Sequence, residues 1–404
     1  MMQIMWLLVV GCFLATASPA VTTERKMARA KELMGLKKWS VAIGLLRQEN
    51  GPTAPASAEA NVLLGQCDLA LNDPKTALKH FGKATKLKGS EPFPRMALEG
   101  TADSYVALGE PLNAWVTWNQ LLGLYPERAV YYMWGMSRAR AQQKAYPEAL
   151  VWLKQAIAKA SDMKDKDILK QMREDLAGLY RSSGDVPSSV AVLKDLIARY
   201  PNNAAQYWFD LAGCYDSLYK GKFAEQLDAL DKGVAAITAS TGKDLQKRLR
   251  ARHASVLYHD KQFNKAVAEF SVLVDDYPDS AAGWKCWIGR CYKDEGRKED
   301  AQAIFLEIIS KYPGARYTGE ASCWLAKMDG MAGDIEHGLL WLDQHLEDCP
   351  EDEARVLMWK GEVLMEHGKY AEAIVFFNEQ LRKYPQGNAA HATVVMRERV
   401  LEKL

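Results

Sequence analysis

With 404 residues the chain is long enough for two or three globular domains or for one long solenoid. Its 52 basic and 51 acidic residues nearly cancel and are interspersed rather than blocked, so the charge gives no reason to expect nucleic acid as a partner. Glycine and proline are moderate, and no low-complexity tract appears.

The first segment stands apart. Ile4 to Ala15 is almost wholly apolar, and Met1 to Ala20 contains no charged side chain. Ala15-Thr16-Ala17 and Ser18-Pro19-Ala20 are small-x-small sequences suited to cleavage, so residues 1–20 are expected to be a secretory signal peptide. The apolar run is too short to span a bilayer. Val9-Val10-Gly11-Cys12 is similar to a bacterial lipoprotein box, which leaves lipid anchoring at Cys12 open beside a soluble exported form. A buried first helix is the third alternative.

From Glu24 onward the pattern is helical and recurrent. It is clearest from Ala281 to Pro313. There Ile288, Gly289 and Tyr292 mark one helix face, and Ala301, Ile304, Phe305, Ile308 and Ile309 mark the next. Gly296 between them supplies a left-handed helix exit. The alanine of the second helix returns as Ala42, Ala77, Ala114, Ala149, Ala266, Ala301 and Ala373, with Ser189, Gln226 and Gly338 in the same place elsewhere. Four residues later comes a large apolar side chain: Leu46, Phe81, Trp118, Leu153, Leu193, Leu230, Phe270, Phe305, Leu342 or Phe377. A proline closes the unit at Pro126, Pro201, Pro278, Pro313, Pro350 and Pro385.

This spacing resembles the tetratricopeptide repeat, carried here by Gly289, Tyr292, Ala301, Phe305 and Pro313. The resemblance implies an all-α, right-handed α-α superhelix of about ten helix-turn-helix repeats over residues 24–386, with a capping helix over 387–404. Departures fall at the Asn50–Ala58 loop, at Lys88 to Pro94, at Ser161–Asp165, at the sixth-repeat turn near Asp216 to Gly221, and at Thr238–Gly242. The closing phrases, such as Asp276-Tyr277-Pro278 and Lys383-Tyr384-Pro385, are similar to those of bacterial envelope proteins, among them outer-membrane assembly lipoproteins and the periplasmic coordinator of cell division. That likeness implies a periplasmic or cell-envelope location.

No catalytic constellation is found: there is no phosphate loop, GxSxG elbow or HExxH motif. The seven histidines do not pair at ligand spacing, so neither a metal nor a cofactor is expected, and the chain reads as non-catalytic. Cys67, Cys214, Cys286, Cys291, Cys323 and Cys349 read as core thiols rather than disulfides, because Cys286 and Cys291 lie five apart on one helix and Cys67, Cys214 and Cys291 each sit two residues after the small residue of their repeat.

What such a fold offers is a groove lined by first helices. At 3.6 residues per turn, the position two before each small residue faces that groove. In repeats eight to ten it holds Trp287, Trp324 and Trp359. Arg290 and Lys327 follow the small residue, and Arg248, Arg252 and Arg355 are also predicted inward. Two readings stand: aromatic platforms flanked by cations for an extended peptide with apolar and acidic side chains, or rings tucked between neighbouring helices. Trp118, Trp152, Trp208 and Trp341 are expected in the core. A protein or peptide partner is expected, with a glycan stacked on the tryptophans as the alternative and peripheral or lipid-anchored membrane association left open. The chaperone-tail clamp of the family is not expected, because Trp134, Gly135, Glu174, Gly178 and Asp210 occupy its positions.

Overall fold

The computed structural model describes residues 19–49, 57–87, 90–160, 166–218, 223–313 and 316–404. The expectations for residues 1–18, including Cys12, most of the Asn50–Ala58 loop, residues 88–89, the 161–165 insertion and most of the sixth-repeat turn lie outside the described residues.

Among the described residues all regular structure is helical, and the chain divides into two compact units, residues 1–196 and 197–404. The first unit holds α1 (Pro19–Gly35), α2 (Trp39–Glu49), α3 (Ala58–Ala70), α4 (Pro74–Lys86), α5 (Phe93–Ala107), α6 (Pro111–Leu124), α7 (Ala129–Gln142), α8 (Tyr146–Ala160) and α9 (Lys166–Ser182). The boundary between units falls inside α10 (Val186–Arg199). The second unit holds α11 (Ala204–Leu218), α12 (Ala224–Ala235), α13 (Lys243–His259), α14 (Phe263–Asp276), α15 (Ala281–Glu295), α16 (Lys298–Lys311), α17 (Arg316–Met331), α18 (Ile335–Asp348), α19 (Glu353–Glu366), α20 (Tyr370–Lys383) and α21 (Asn388–Leu401). Within α1–α9 and within α11–α21 each helix packs on the next in chain order, odd and even helices pairing as hairpins.

The hairpin turn is built the same way along the chain. In the nine hairpin turns that the described residues cover, one residue sits in the left-handed region five positions before the second-helix anchor: Lys37, Asn72, Gly109, Lys144, Gly184, Lys261, Gly296, Gly333 and Gly368. Glycine accepts this conformation without strain, and asparagine with little. At the three lysines the turn overrides residue preference, at a cost of about 1–2 kcal/mol each. Four of the closing prolines, Pro126, Pro201, Pro278 and Pro350, open a 3-10 turn that leads into the next first helix.

The anchors form the core. Ala42, Ala77, Ala114, Ala149, Ala266, Ala301 and Ala373 are wholly buried, and every large side chain four residues on is buried with them. Small first-helix residues make room for those rings: a methyl group on Gly289 would stand 2.6 Å from Phe305, and one on Gly361 2.4 Å from Phe377. Where serine replaces glycine or alanine, its hydroxyl is satisfied across the hairpin. Ser137 Oγ donates to the Ala149 carbonyl and Ser189 Oγ to the Ala177 carbonyl, both at 2.8 Å. Each buried phenylalanine contributes about 1.5–3 kcal/mol through apolar burial.

The six described cysteines are buried and none is in a disulfide. Burial pushes the Cys67 thiol to about 11 and those of Cys286 and Cys291 to about 12, so they behave as small core residues. Among the described residues no group of three His, Cys, Asp or Glu is placed to hold a metal ion, and no helix is long and apolar enough to cross a membrane.

Candidate functional site

The aromatic and cationic residues of interest cluster on the first helices of the second unit. α13, α15 and α17 are three successive first helices, and each contributes one wall around a single guanidinium. The Arg290 carbon lies 4.0 Å from the Trp287 ring centre, 5.2 Å from that of Tyr258 and 5.4 Å from that of Trp324. The rings are held from behind by the repeat anchors. Trp287 stacks on Phe270 at 5.7 Å and meets Tyr258 edge-on at 5.3 Å, while Trp324 stacks on Phe305 at 6.5 Å. Both tryptophans are half-buried, with one face on the preceding repeat and the other under cations. The sequence alternatives of platform and packed ring are thus combined in the same side chains.

The partners of these cations differ. Arg248 lies 3.6 Å from Asp244 and Arg252 3.4 Å from Asp216, and both cover the Phe209 ring. Lys327 is nearly buried and sits 2.9 Å from both Glu362 and Glu366 on α19. Burial alone would pull its pKa down, but Cys323 and the two carboxylates more than reverse this, and it stands above the ordinary lysine value. Arg355 pairs with Asp352 and covers Trp359, which is 8% exposed and belongs to the core beside His345. Trp359 is therefore no open platform. The ring is closed in by α17 and α18, whose Cys323, Ala326 and Leu342 pack with it.

Arg290 is the exception. Among the described residues no carboxylate lies within ion-pairing distance of it, its Nε is buried without an acceptor, and its one hydrogen bond is a 3.5 Å contact to the Tyr258 hydroxyl. Asp294, one helical turn further on, is taken by Lys293 at 2.7 Å and by the Tyr258 hydroxyl. Burial would raise that carboxyl, but the bonds from Lys293 and Tyr258, with the nearby Arg290 charge adding to them, hold it below the usual range, so it stays charged. Guanidinium stacking on aromatic faces holds a cation in place while leaving its in-plane donors for an anion.

Tyr258, Lys293 and Phe209 were not singled out from sequence. The signal was present: positions −2, +1 and +4 from the small residue form one i, i+3 row. That row reads Trp287, Arg290, Lys293 in one repeat and ends at Tyr258 in the repeat before. Of the four tryptophans expected in the core, Trp118 is 7% exposed, whereas Trp152, Trp208 and Trp341 are half-buried at its edge. Trp341 uses that edge to donate to Asp329 at 2.9 Å.

Tetratricopeptide-repeat family models match residues 287–315 and 342–388. No curated protein matches the chain. Among solved structures it is similar to the apo form of RapI, at 11% identity and a TM-score of 0.51, over 85% of this chain and 98% of that one. It is also similar to the C-terminal part of a TPR repeat-containing protein from Cytophaga hutchinsonii (15% identity, TM-score 0.49, 62% of this chain and 94% of that one). MamA is a third, at 17% identity and a TM-score of 0.35, over 43% of this chain and 94% of that one. The RapI likeness bears on fold alone.

Proposed function

Because the chain is a tetratricopeptide-repeat protein, a scaffold for protein interaction, we propose that the first-helix face of its second unit binds an extended peptide bearing apolar and acidic side chains. The observation that carries this reading is Arg290, a stacked guanidinium with no carboxylate within ion-pairing distance among the described residues. An acidic side chain would complete it, and apolar side chains would lie along Trp287 and Trp324. Lys293 and Lys327, each already paired with carboxylates, lie 4.7 and 5.0 Å from the Trp324 ring centre and leave Arg290 as the unmatched cation of the cluster. Arg248 and Arg252 would extend the track beside Phe209, while Trp359 and Arg355 would support its far end. A glycan on the tryptophan faces is the weaker alternative, since a neutral sugar would bring no anion to the Arg290 guanidinium. The reading is of a non-catalytic scaffold.

The N-terminal apolar stretch and the envelope-like closing phrases support export to the periplasm or cell envelope, in soluble form or lipid-anchored at Cys12. Mass spectrometry of the mature N-terminus tests this, and an intact Met1 would refute it. For the groove, the test is a random-peptide display screen run beside a glycan array. Acidic, apolar peptides should be enriched, and Arg290→Ala should weaken them by about 1.5–3 kcal/mol, the worth of a hydrogen bond to a charged group. Glycan binding abolished by Trp287→Ala and Trp324→Ala, with no peptide enriched, would overturn the reading.

A further inference from the structure

The second helices of the first unit carry a surface unrelated to that groove. On α4, Lys75, Lys79, Lys83 and Lys86 are all exposed, and the helix contains no acidic residue. At 100° per residue the four fall within an arc of about 80°, in a row about 16 Å long. Among the described residues no carboxylate lies within ion-pairing distance of any of them. The acid next to the row, Asp73, is occupied with capping the helix, its carboxylate accepting from the Thr76 amide at 3.1 Å. In a chain with net charge +1 this is a local concentration of unpaired positive charge.

The same register on the next two second helices is uncharged. Lys75, Lys79, Lys83 and Lys86 correspond to Leu112, Val116, Gln120 and Gly123 on α6, a helix with no charged residue in its 14 positions. On α8 they correspond to Pro147, Val151, Gln155 and Ala158, all exposed. Leu112 is 59% exposed, and Val116 and Val151 are each 53% exposed. Aliphatic side chains therefore project from rigid helices on the same register as the lysines, beside a helix that carries only cations there.

We propose that this outer face of repeats two to four docks on an anionic phospholipid membrane. The lysines would lie against headgroup phosphates, and Leu112, Val116 and Val151 would enter the interfacial layer. Three features favour a bilayer over nucleic acid or an acidic protein. Lysine acts as a point charge and suits a diffuse layer of phosphates, whereas the patch has no arginine fork for planar recognition. No aromatic side chain stands among the lysines for base stacking. The aliphatic residues form ridges rather than a pocket, and a fluid interface conforms to a ridge without needing a complementary shape.

The test is flotation of the full chain with vesicles of phosphatidylcholine alone and of phosphatidylcholine mixed with phosphatidylglycerol. Binding should require the anionic lipid and fall as salt rises. At about 1 kcal/mol per lysine, the double change Lys79→Gln and Lys83→Gln should weaken it about 30-fold. Val116→Asn with Val151→Asn should weaken binding at high salt, where the charge contribution is screened. All four side chains are exposed, so circular dichroism melts should match the unchanged chain, which separates lost docking from lost folding. Residues 1–18 are common to every variant, so any contribution from that apolar stretch cancels between variants, and the comparison of vesicle types is read as the gain on adding the anionic lipid. Equal binding to both vesicle types, undiminished binding by the lysine variant, or retention of duplex DNA in preference to anionic vesicles would each overturn the proposal.

Discussion

Gly338→Ala puts the packing account to a sharp test, because repeat logic and local geometry give opposite signs. Position 338 is the second-helix anchor, which is alanine in seven other repeats, and alanine in a helix is worth up to about 1 kcal/mol over glycine. A consensus argument therefore expects stabilisation. In the ninth repeat, however, α17 and α18 approach so closely that a methyl group on Gly338 would lie 2.5 Å from the Ala326 carbonyl oxygen and 3.2 Å from its Cα. Those are backbone atoms and cannot rotate away. Overpacking of this kind costs about 1–3 kcal/mol, so the net effect should be a loss of up to about 2 kcal/mol. Gly178→Ala in α9 is the control, since its new methyl group meets nothing within 4 Å and should stabilise by up to about 1 kcal/mol. Urea unfolding of the three chains reads both. A higher midpoint for Gly338→Ala, or equal shifts of the same sign, would refute the reasoning.

Three further outcomes follow from the same structure. Lys327→Ala removes the shared partner of Glu362 and Glu366, which stay partly open to solvent, and should cost about 1–3 kcal/mol in denaturant unfolding, whereas a fully exposed pair would cost less than about 1. The packing around Asp103 on α5 raises its carboxyl to about 6, with Arg138 opposing the rise and Glu99 adding to it. A raised carboxyl favours the fold while protonated, so its contribution is full below about 4 and declines as pH rises through 6; Asp103→Asn should gain stability relative to the unchanged chain at neutral pH but not at pH 4. The six buried thiols should react slowly with a thiol reagent at pH 8 in the folded chain and fast in urea, and a thiol among them that reacts at once would contradict its placement in the core.

The fold was legible because each repeat poses the same packing problem. Ala301 and Phe305 fix which side of α16 is buried, and that register recurs with little ambiguity across the helices. The turns were less legible. A glycine announces the left-handed residue at Gly296, but Lys37, Lys144 and Lys261 adopt the same conformation under the constraint of the hairpins, which composition does not reveal. The site was partly legible. Period 3.6 placed Trp287, Trp324 and Arg290 on one face, yet Arg290 gathering three rings depends on the offset between neighbouring helices, which one repeat read alone does not contain. Trp359 occupies the same register as Trp287 and Trp324 but is closed in by α17 and α18, so equivalent positions did not give equivalent exposure.

Hydrogen exchange of the chain with and without a saturating acidic peptide from the display screen tests the role of the Arg290 box most directly. Slowed exchange confined to α13, α15 and α17, absent in Arg290→Ala at the same peptide concentration, is the result this account predicts. Protection on α14, α16 and α18 instead, or an unchanged footprint in Arg290→Ala, would contradict it.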